Sequence, residues 1–598
     1  MLLCGKLRPR GCISSLTHAT LVLRTQKPLL RWYNTTSTTD KPFYITTPIF
    51  YPNARPHIGH LYSLVTADII ARFQRILNPS RPVVFLTGTD EHGLKMQQTA
   101  VAKGVTPLEW CNTLSSEFRK LAERADISSS IFMRTTQDRH KQTVEHIWRS
   151  LSAQGLIYKD TYEGYYSTTD ECFYPTSRVS PHPTLPDTMI ATETGSVVEW
   201  SREVNYKFRM SSFRNALFAH YTRAAALNAQ VTDGLVVRGV HPDIHQSHII
   251  RDLESEPLED LSISRPRERI AWGIAVPGDP TQTVYVWFDA LLVYLSGIGY
   301  PEQGAAWPPD VQVIGKDIVR FHAIYLPSIL LALGLPIPRT VLSHAHWTSN
   351  QKKMSKSLGN VTNPIEAMDD FGVDAVRFYL ARVGGRWKVD VDWSEEQLRK
   401  HSDEIRNLLG NYFLRVTSKV IRNRVSRVLP DTRDKSFQTL LTRHLVDVDL
   451  SKIIDTSAYT NVDAPLTTEA FFPLLDNVGG VVLHHMTNLE VADGLHTIVQ
   501  VLRQANSLLT SLAPWSEVHS PAVALSCYLT ALETLRIVGI LLQPFLPGTS
   551  EKLLDALSVP GPQRSIKYAR VGMGSLGRGN IFELKGVKLF EMPRKTAE

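Results

Sequence analysis

The sequence predicts an α/β fold: a doubly wound parallel sheet, split by an insertion and followed by an α-helical bundle. Three observations carry this. Short apolar runs rich in β-branched and aromatic residues recur without polar alternation, as strands covered on both faces require. Each run ends in a cluster of His, Asp, Lys and small residues, the place where doubly wound sheets bind ligands. Past residue 397 the pattern turns helical and basic.

The strands are "FYITT" (43–47), "PVVFLTG" (82–88), "VQVIG" (311–315) and "TVLSH" (340–344). They lead in turn to "PHIGH", "TDEHG", "KDIVRFH" and "AHWTSNQKKMSKS". After "PHIGH", Leu61, Val65, Ile69, Phe73 and Ile76 recur at spacings of three and four, which predicts a helix. His57, Gly59 and His60 then fall at its N-terminus, where unpaired N–H groups and the helix dipole favour phosphate. Gly59 lacks a Cβ and leaves room for a nucleotide to approach the backbone. By itself a Pro-x-x-Gly-His match is weak and equally suits an ordinary turn. "KKMSKSLGN" (352–360) adds to it, because Lys353 and Lys356 alternate with Met354, Ser355 and Ser357. A mobile loop with two ammonium groups can close over a triphosphate; a solvated basic loop is the plain alternative.

At 598 residues the chain exceeds one compact core, and about three or four domains are expected. No uninterrupted apolar run approaches the roughly 20 residues that span a bilayer. Cysteines at 4, 12, 111, 172 and 527 never pair as Cys-x-x-Cys, so neither a disulfide framework nor a zinc knuckle is indicated. Six of the seven net positive charges come from Lys6, Arg8, Arg10, Arg24, Lys27 and Arg31. Any polyanion site must therefore be a local patch. That N-terminal segment holds no acid before Asp40 and is rich in Arg, Ser, Thr and Leu, as organellar targeting peptides are. "RWYNTT" resembles a mitochondrial processing site; a basic arm that contacts RNA is the alternative reading.

The two phosphate motifs, His57-Ile58-Gly59-His60 and Lys353-Met354-Ser355-Lys356-Ser357, match both signatures of class I aminoacyl-tRNA synthetases, in the right order. "TTPIFYPNARPHIGHLYSLVTAD", "FLTGTDEHGLK", "YVWFDALLVY" and "VIGKDIVRFHAIYLP" resemble the methionyl branch of that family. The resemblance implies a Rossmann-like catalytic domain, an inserted connective domain and a helical anticodon-binding domain. It implies activation of methionine by ATP with Mg2+, then transfer to tRNA(Met). It also implies roles. His57 and His60 would hold phosphates, with Gly59 beside the adenosine. Lys353, Ser355 and Lys356 would meet the triphosphate, and Asp317 resembles the ribose ligand. Lys316 is either a second ligand or a salt-bridge partner. Arg265 matches a catalytic-site arginine. The amino-acid pocket carries over to Ile49, Tyr51, Asp90, Trp287, Ala290, Leu291, Tyr294, Ile318 and His322. Leu291 stands where some members carry proline. Periodicity alone would place Trp287, Leu291 and Tyr294 in a core; the resemblance moves them to a pocket suited to a thioether.

The expected divisions are 1–40 targeting peptide, 41–137 and 271–346 catalytic halves, and 138–270 insertion. They continue with 347–398 lysine loop and stem-contact region, 399–560 anticodon-binding bundle and 561–598 tail. The insertion offers only Cys172 where many relatives have cysteine knuckles, so no structural zinc is expected. It is also too short for the editing domain of isoleucyl, valyl or leucyl enzymes. Residue types alone in "NLLGNYFLRV" suit a solvated helix face. The stretch resembles the family's anticodon-reading helix, which implies that Asn411 and Arg415, one turn apart, meet splayed anticodon bases. Trp515 in "ANSLLTSLAPW" would stack on one, although Leu508 replaces an aromatic common in the family. Without an appended dimerising barrel a monomer is expected, in the mitochondrial matrix, with no DNA or membrane partner. A cysteinyl-type synthetase would need a zinc-bound cysteine pocket, and an RNA-binding paralogue should have lost the phosphate motifs.

Overall fold

The structure, a computed structural model, describes residues 41–170, 172–226, 231–302, 304–354, 361–428, 468–576 and 587–591. The targeting segment, Ser355 to Ser357 of the lysine loop and most of the 430–490 stretch lie outside the described residues.

All four expected strands form, within a six-stranded parallel sheet. Its strands, in chain order, are β1 (Phe43–Phe50), β2 (Val83–Thr89), β3 (Ile131–Arg134), β4 (Gly239–His241), β5 (Val311–Gly315) and β6 (Thr340–His344). The spatial order is β4-β6-β5-β1-β2-β3, and every pairing is parallel. From β1 the chain winds one way through β2 and β3, and the later strands build out the other side. The switch point therefore lies between β1 and β5, where a crevice opens beyond the carboxyl ends. β4 corrects the expected insertion boundaries: residues 239–241 fall inside the 138–270 stretch yet pair with residues 340–342 of β6. A three-residue strand is too short to show as an apolar run.

Helix α1 (Ile58–Leu77) follows β1, and the five predicted apolar positions are all buried. Its other sides are buried too, including Leu64, Ile70 and Asp68, because the helix is sandwiched between the sheet and α4 (Val373–Gly384). A helix buried all round belongs to an interior. Each fully buried Leu, Ile or Phe contributes about 1.5–3 kcal/mol. α4 carries Arg377, whose guanidinium donates to Asp68 Oδ2 at 2.7 Å and to the carbonyls of Ala125, Pro544 and Phe545. Both charges are buried, which is tolerable because all three nitrogens of Arg377 donate. One continuous apolar core runs from Phe43 of β1 to Leu589.

The insertion opens with α2 (Asp138–Ala153) and continues as a long antiparallel hairpin, Ile157–Ser167 against Val197–Phe208. Helix α3 (Val286–Leu291) returns the chain to the sheet before β5. Beyond α4 the described residues are mainly helical, apart from the short strand Val391–Asp392. Pro521–Leu542, long and apolar enough to cross a membrane, is the buried central helix of this bundle. Its Glu533 and Arg536 pair bidentately in the interior.

Candidate active site

The loop from β1 to α1 is shaped by its own histidines. His57 is the N-cap of α1, and its Nδ1 accepts from the Gly59 N–H at 3.1 Å. His60 Nδ1 accepts in return from the His57 N–H at 3.0 Å, completing a reciprocal capping box. The two rings lie 3.8 Å apart, and the edge of His60 packs against Phe50 and Phe118. Because each Nδ1 accepts, it carries no proton, and each ring is a neutral imidazole with its hydrogen on Nε2. A Cβ at residue 59 would stand 2.9 Å from His57 Cε1, so glycine is what lets that ring fold back over the helix start.

These histidines border one cavity of about 1360 Å³ at the switch point. Ile49, Tyr51, His57, Gly59, His60, Asp90, Arg265, Trp287, Ala290, Leu291, Tyr294, Asp317, Ile318 and His322 all line it. The structure thus gathers the expected catalytic, nucleotide and amino-acid residues into one place, except on the lysine loop. Lys353 lies in a short strand paired with Ser349 and Thr348, and Met354 lines the cavity; Ser355 and Lys356 lie outside the described residues.

Asp317, just past β5, receives His346 Nε2 at 3.1 Å. Its neighbour Lys316 pairs with Asp390 at 2.7 Å, which favours the salt-bridge alternative for that lysine. Deeper in, Tyr294 and His322 form a fixed pair. His322 Nδ1 donates to the Ile318 carbonyl at 3.0 Å, so its Nε2 accepts the Tyr294 hydroxyl at 2.8 Å. Burial pushes the His322 imidazole down to about 4 and raises the Tyr294 phenol. Neither ring offers a spare proton to a polar side chain. Trp287 stacks on Phe321 at 3.7 Å, and Tyr51 Oη accepts from the Met96 N–H.

Arg265 is almost wholly buried, although it reads in sequence as a surface charge. Its guanidinium sits over Tyr166, Phe173 and Tyr285 at 5.5, 5.0 and 4.4 Å and donates to Ser262 Oγ and the Ser264 carbonyl. Tyr166 and Phe173 belong to the insertion, which thereby forms one wall of the cavity. That wall is tied together at Asp170, which accepts from Tyr174, Thr194 and Ser196. Among the described residues no three His, Cys, Asp or Glu side chains are placed to hold a metal ion.

Sequence reasoning missed several lining residues. His344 donates from Nδ1 to the Ala345 carbonyl and accepts the Ser63 hydroxyl at 2.8 Å, and burial pushes it down to about 4. His346 and Phe321 were missed as well, and the "HAH" after β6 was the one visible signal.

Away from the cavity, Arg415 lies 5.0 Å over the ring of Trp515 and donates to Thr510. Asn411, exposed and one turn earlier, donates to Asn407. Arg415 and Trp515 are thus joined on one face of the bundle, with Leu414, Val420 and Val518 exposed on the same segments.

Comparison with known proteins agrees with this geometry. Residues 43–417 match the family described as tRNA synthetases class I (M), and residues 475–592 match the anticodon binding domain of methionyl tRNA ligase. A probable mitochondrial methionine–tRNA ligase of Neurospora crassa is 38% identical over 94% of this chain and 87% of its own. The mitochondrial methionine–tRNA ligase of Homo sapiens is 38% identical over 88% and 85%. Among solved structures, Mycobacterium tuberculosis methionyl-tRNA synthetase bound by methionyl-adenylate superposes with a TM-score of 0.74 at 32% identity, covering 92% of this chain and 100% of that one.

Proposed function

The chain belongs to the methionyl-tRNA synthetases of class I, and on that premise we propose that it activates methionine with ATP and transfers it to tRNA(Met) in mitochondria. The observation that carries the reading is the single cavity joining the histidine-capped start of α1 to the Trp287–Tyr294 pocket.

In the first step the methionine carboxylate attacks the ATP α-phosphorus, the bond to the β-phosphate oxygen breaks, and pyrophosphate leaves. No side-chain nucleophile is needed, so the protein's contribution is position and charge stabilisation. The triphosphate lies across the N-terminus of α1. The His57 and His60 Nε2–H groups donate to its oxygens, and their Nδ1 atoms stay on the backbone. Gly59 keeps the approach open and Asp317 takes the ribose. Lys353 and Lys356, with Ser355, bring positive charge as the lysine loop closes. The rings being neutral, most of the cationic charge arrives with that loop and with Mg2+, which enters with ATP. Mg2+ bound with ATP would add positive charge against the triphosphate.

Asp90 takes the methionine ammonium. Ile49, Tyr51, Trp287, Ala290, Leu291, Tyr294, Ile318 and His322 enclose the thioether, whose contacts with aromatic rings contribute about 0.3–1.5 kcal/mol each. Arg265 faces the reacting groups from the insertion side. In the second step a 3′-terminal ribose hydroxyl of tRNA attacks the acyl carbon and AMP leaves. Asn411, Arg415 and Trp515 read the anticodon, where stacking on Trp515 is worth about 1–3 kcal/mol. A monomer in the mitochondrial matrix completes the proposal; the acid-free N-terminal segment and the mitochondrial relatives support that address.

The test is methionine-dependent exchange of labelled pyrophosphate into ATP by the purified chain. Exchange with methionine and not with leucine, isoleucine or cysteine is expected. Exchange supported by another amino acid alone would refute the specificity, and absence of exchange in a folded protein would refute the enzyme.

A further inference from the structure

Behind the amino-acid pocket lies a chain of buried polar groups that the reaction described above does not use. Asp289, on α3, is 1% exposed and accepts two hydrogen bonds of 2.6 Å. One comes from His92 Nδ1 on the loop after β2, the other from His140 Nε2 on α2. His140 Nδ1 in turn meets Ser296 Oγ at 2.8 Å, and Ser296 donates to the Val293 carbonyl. The edge of the Trp272 ring covers His92. His92 and His140 are the ionisable groups that face this carboxylate. Burial opposes its charge, but the two imidazoles outweigh it and hold the group near 2.

Stability alone does not ask for such a group. An apolar side chain of similar size in that interior would generally serve as well or better. What the arrangement supplies is distance. His92 lies two residues beyond Asp90, and Asp289 lies between Trp287 and Ala290 on the helix that walls the pocket. The short charge-assisted bonds to Asp289 therefore fix the β2 loop, with its ammonium ligand, against the wall that meets the side chain. A thioether makes few directional contacts, so its length and width must be read by walls held in place. One methylene in an apolar pocket discriminates only about 10–200-fold.

We propose that Asp289, clamped between His92 and His140, is a positioning residue for the amino acid: it sets the separation between Asp90 and the Trp287–Leu291 wall. This rests on the reading of the cavity as a methionine site.

Asp289→Asn keeps the volume but replaces one acceptor oxygen with an N–H2 group that meets an imidazole N–H. The apparent KM for methionine in pyrophosphate exchange should rise about tenfold or more, equivalent to at least about 1.4 kcal/mol. The KM for ATP should stay within about twofold, with rates normalised to adenylate-competent sites so that partial unfolding drops out. Selectivity for methionine over leucine should fall in parallel. A methionine KM within twofold of the parent, or equal shifts for both substrates, overturns the proposal. Should Asp289→Asn not fold, Ser296→Ala removes one hydroxyl at the far end of the chain. It should raise the methionine KM roughly two- to fourfold without touching that for ATP, and no change overturns the proposal. Exchange by the parent protein separates a failure of this inference from a failure of the function on which it rests.

Discussion

At the amino ends of its strands the central sheet carries five charged side chains bound to one another, whereas at the carboxyl ends neutral histidines stand among carboxylates and cations spread around the cavity. Lys41, Arg81, Asp310 and Arg339 each stand just before a strand, and Asp233 precedes β4. Asp310 takes Lys41 at 2.7 Å, Arg339 at 2.8 Å and Arg81 at 3.4 Å; Arg339 also reaches Asp233. Its Oδ2 further accepts the Tyr44 N–H. Fifteen or so ångströms away, across strands of about five residues, His57 and His60 have their Nδ1 atoms committed to the backbone, and burial holds His322 and His344 neutral. One end spends its charges on itself, which locks the strands. The other spreads its charged groups, Asp90, Asp317 and Arg265 among them, around a cavity where a bound substrate can meet them.

The largest expected effect breaks the charged end. Asp310→Ala leaves Lys41 without its anion and Arg81 and Arg339 with Asp233 alone, and breaking a buried ion cluster of this kind costs about 3–5 kcal/mol. Chemical denaturation should show that loss, with methionine and ATP KM values unchanged in the folded fraction. A shift in either KM would mean that the two ends are not separate.

His57→Asn acts on the opposite end and should do the reverse. Asparagine is a strong N-cap, so stability should hold within about 1 kcal/mol. Loss of the Nε2–H should lower kcat for pyrophosphate exchange by about 10²–10³, as removal of one preorganised donor does. A variant that unfolds while keeping its rate per active site would reverse the assignment.

The smallest effect is one of pH. His322 and His344 sit near 4 in the folded protein against about 6.5 when unfolded. Above pH 6.5 both states leave them neutral, and their full contribution is present. As pH falls from 6.5 toward 4, the unfolded chain takes up protons that the native state refuses, and stability is lost. Each histidine should contribute about 1.4 kcal/mol per pH unit across that window. Replacing His322 with glutamine should flatten the slope measured by denaturation at pH 6.5 and 5.0.

The sequence exposed the carboxyl end far better than the amino end. Buried parallel strands are continuous apolar runs, and each run marks the loop at its own carboxyl end; thus "PHIGH" and "KDIVRFH" could be placed on strand ends from residue types alone. The capping box was hidden because its partners are histidines rather than the Ser, Thr, Asp and Glu that usually mark one. β3 and β4 were hidden by their brevity. The charged cluster was invisible for a different reason: Lys41 and Asp310 are 269 residues apart, and pairing at that separation leaves no periodic trace. His92, Asp289 and His140 were missed in the same way, since each lies in a stretch whose neighbours had a simpler reading. Arg265 needed the fold outright, because rings distant in sequence, Tyr166 and Phe173 of the insertion with Tyr285, turn an apparent surface arginine into an interior one.

Arg377 has a bearing on how such a protein can be taken apart. Its guanidinium fastens the helix that begins with His57 to the carbonyls of Pro544 and Phe545, and the apolar core passes through the same joint without a seam. Catalytic and helical regions arranged so are not cassettes. A cut between them strips the buried face of α4 and takes away one of the two arginines on the Asp68 carboxylate, so neither fragment inherits a finished surface. Exchange of the RNA-reading half with that of a relative must carry the joint along with it, and heating the intact chain should melt both regions in a single calorimetric transition.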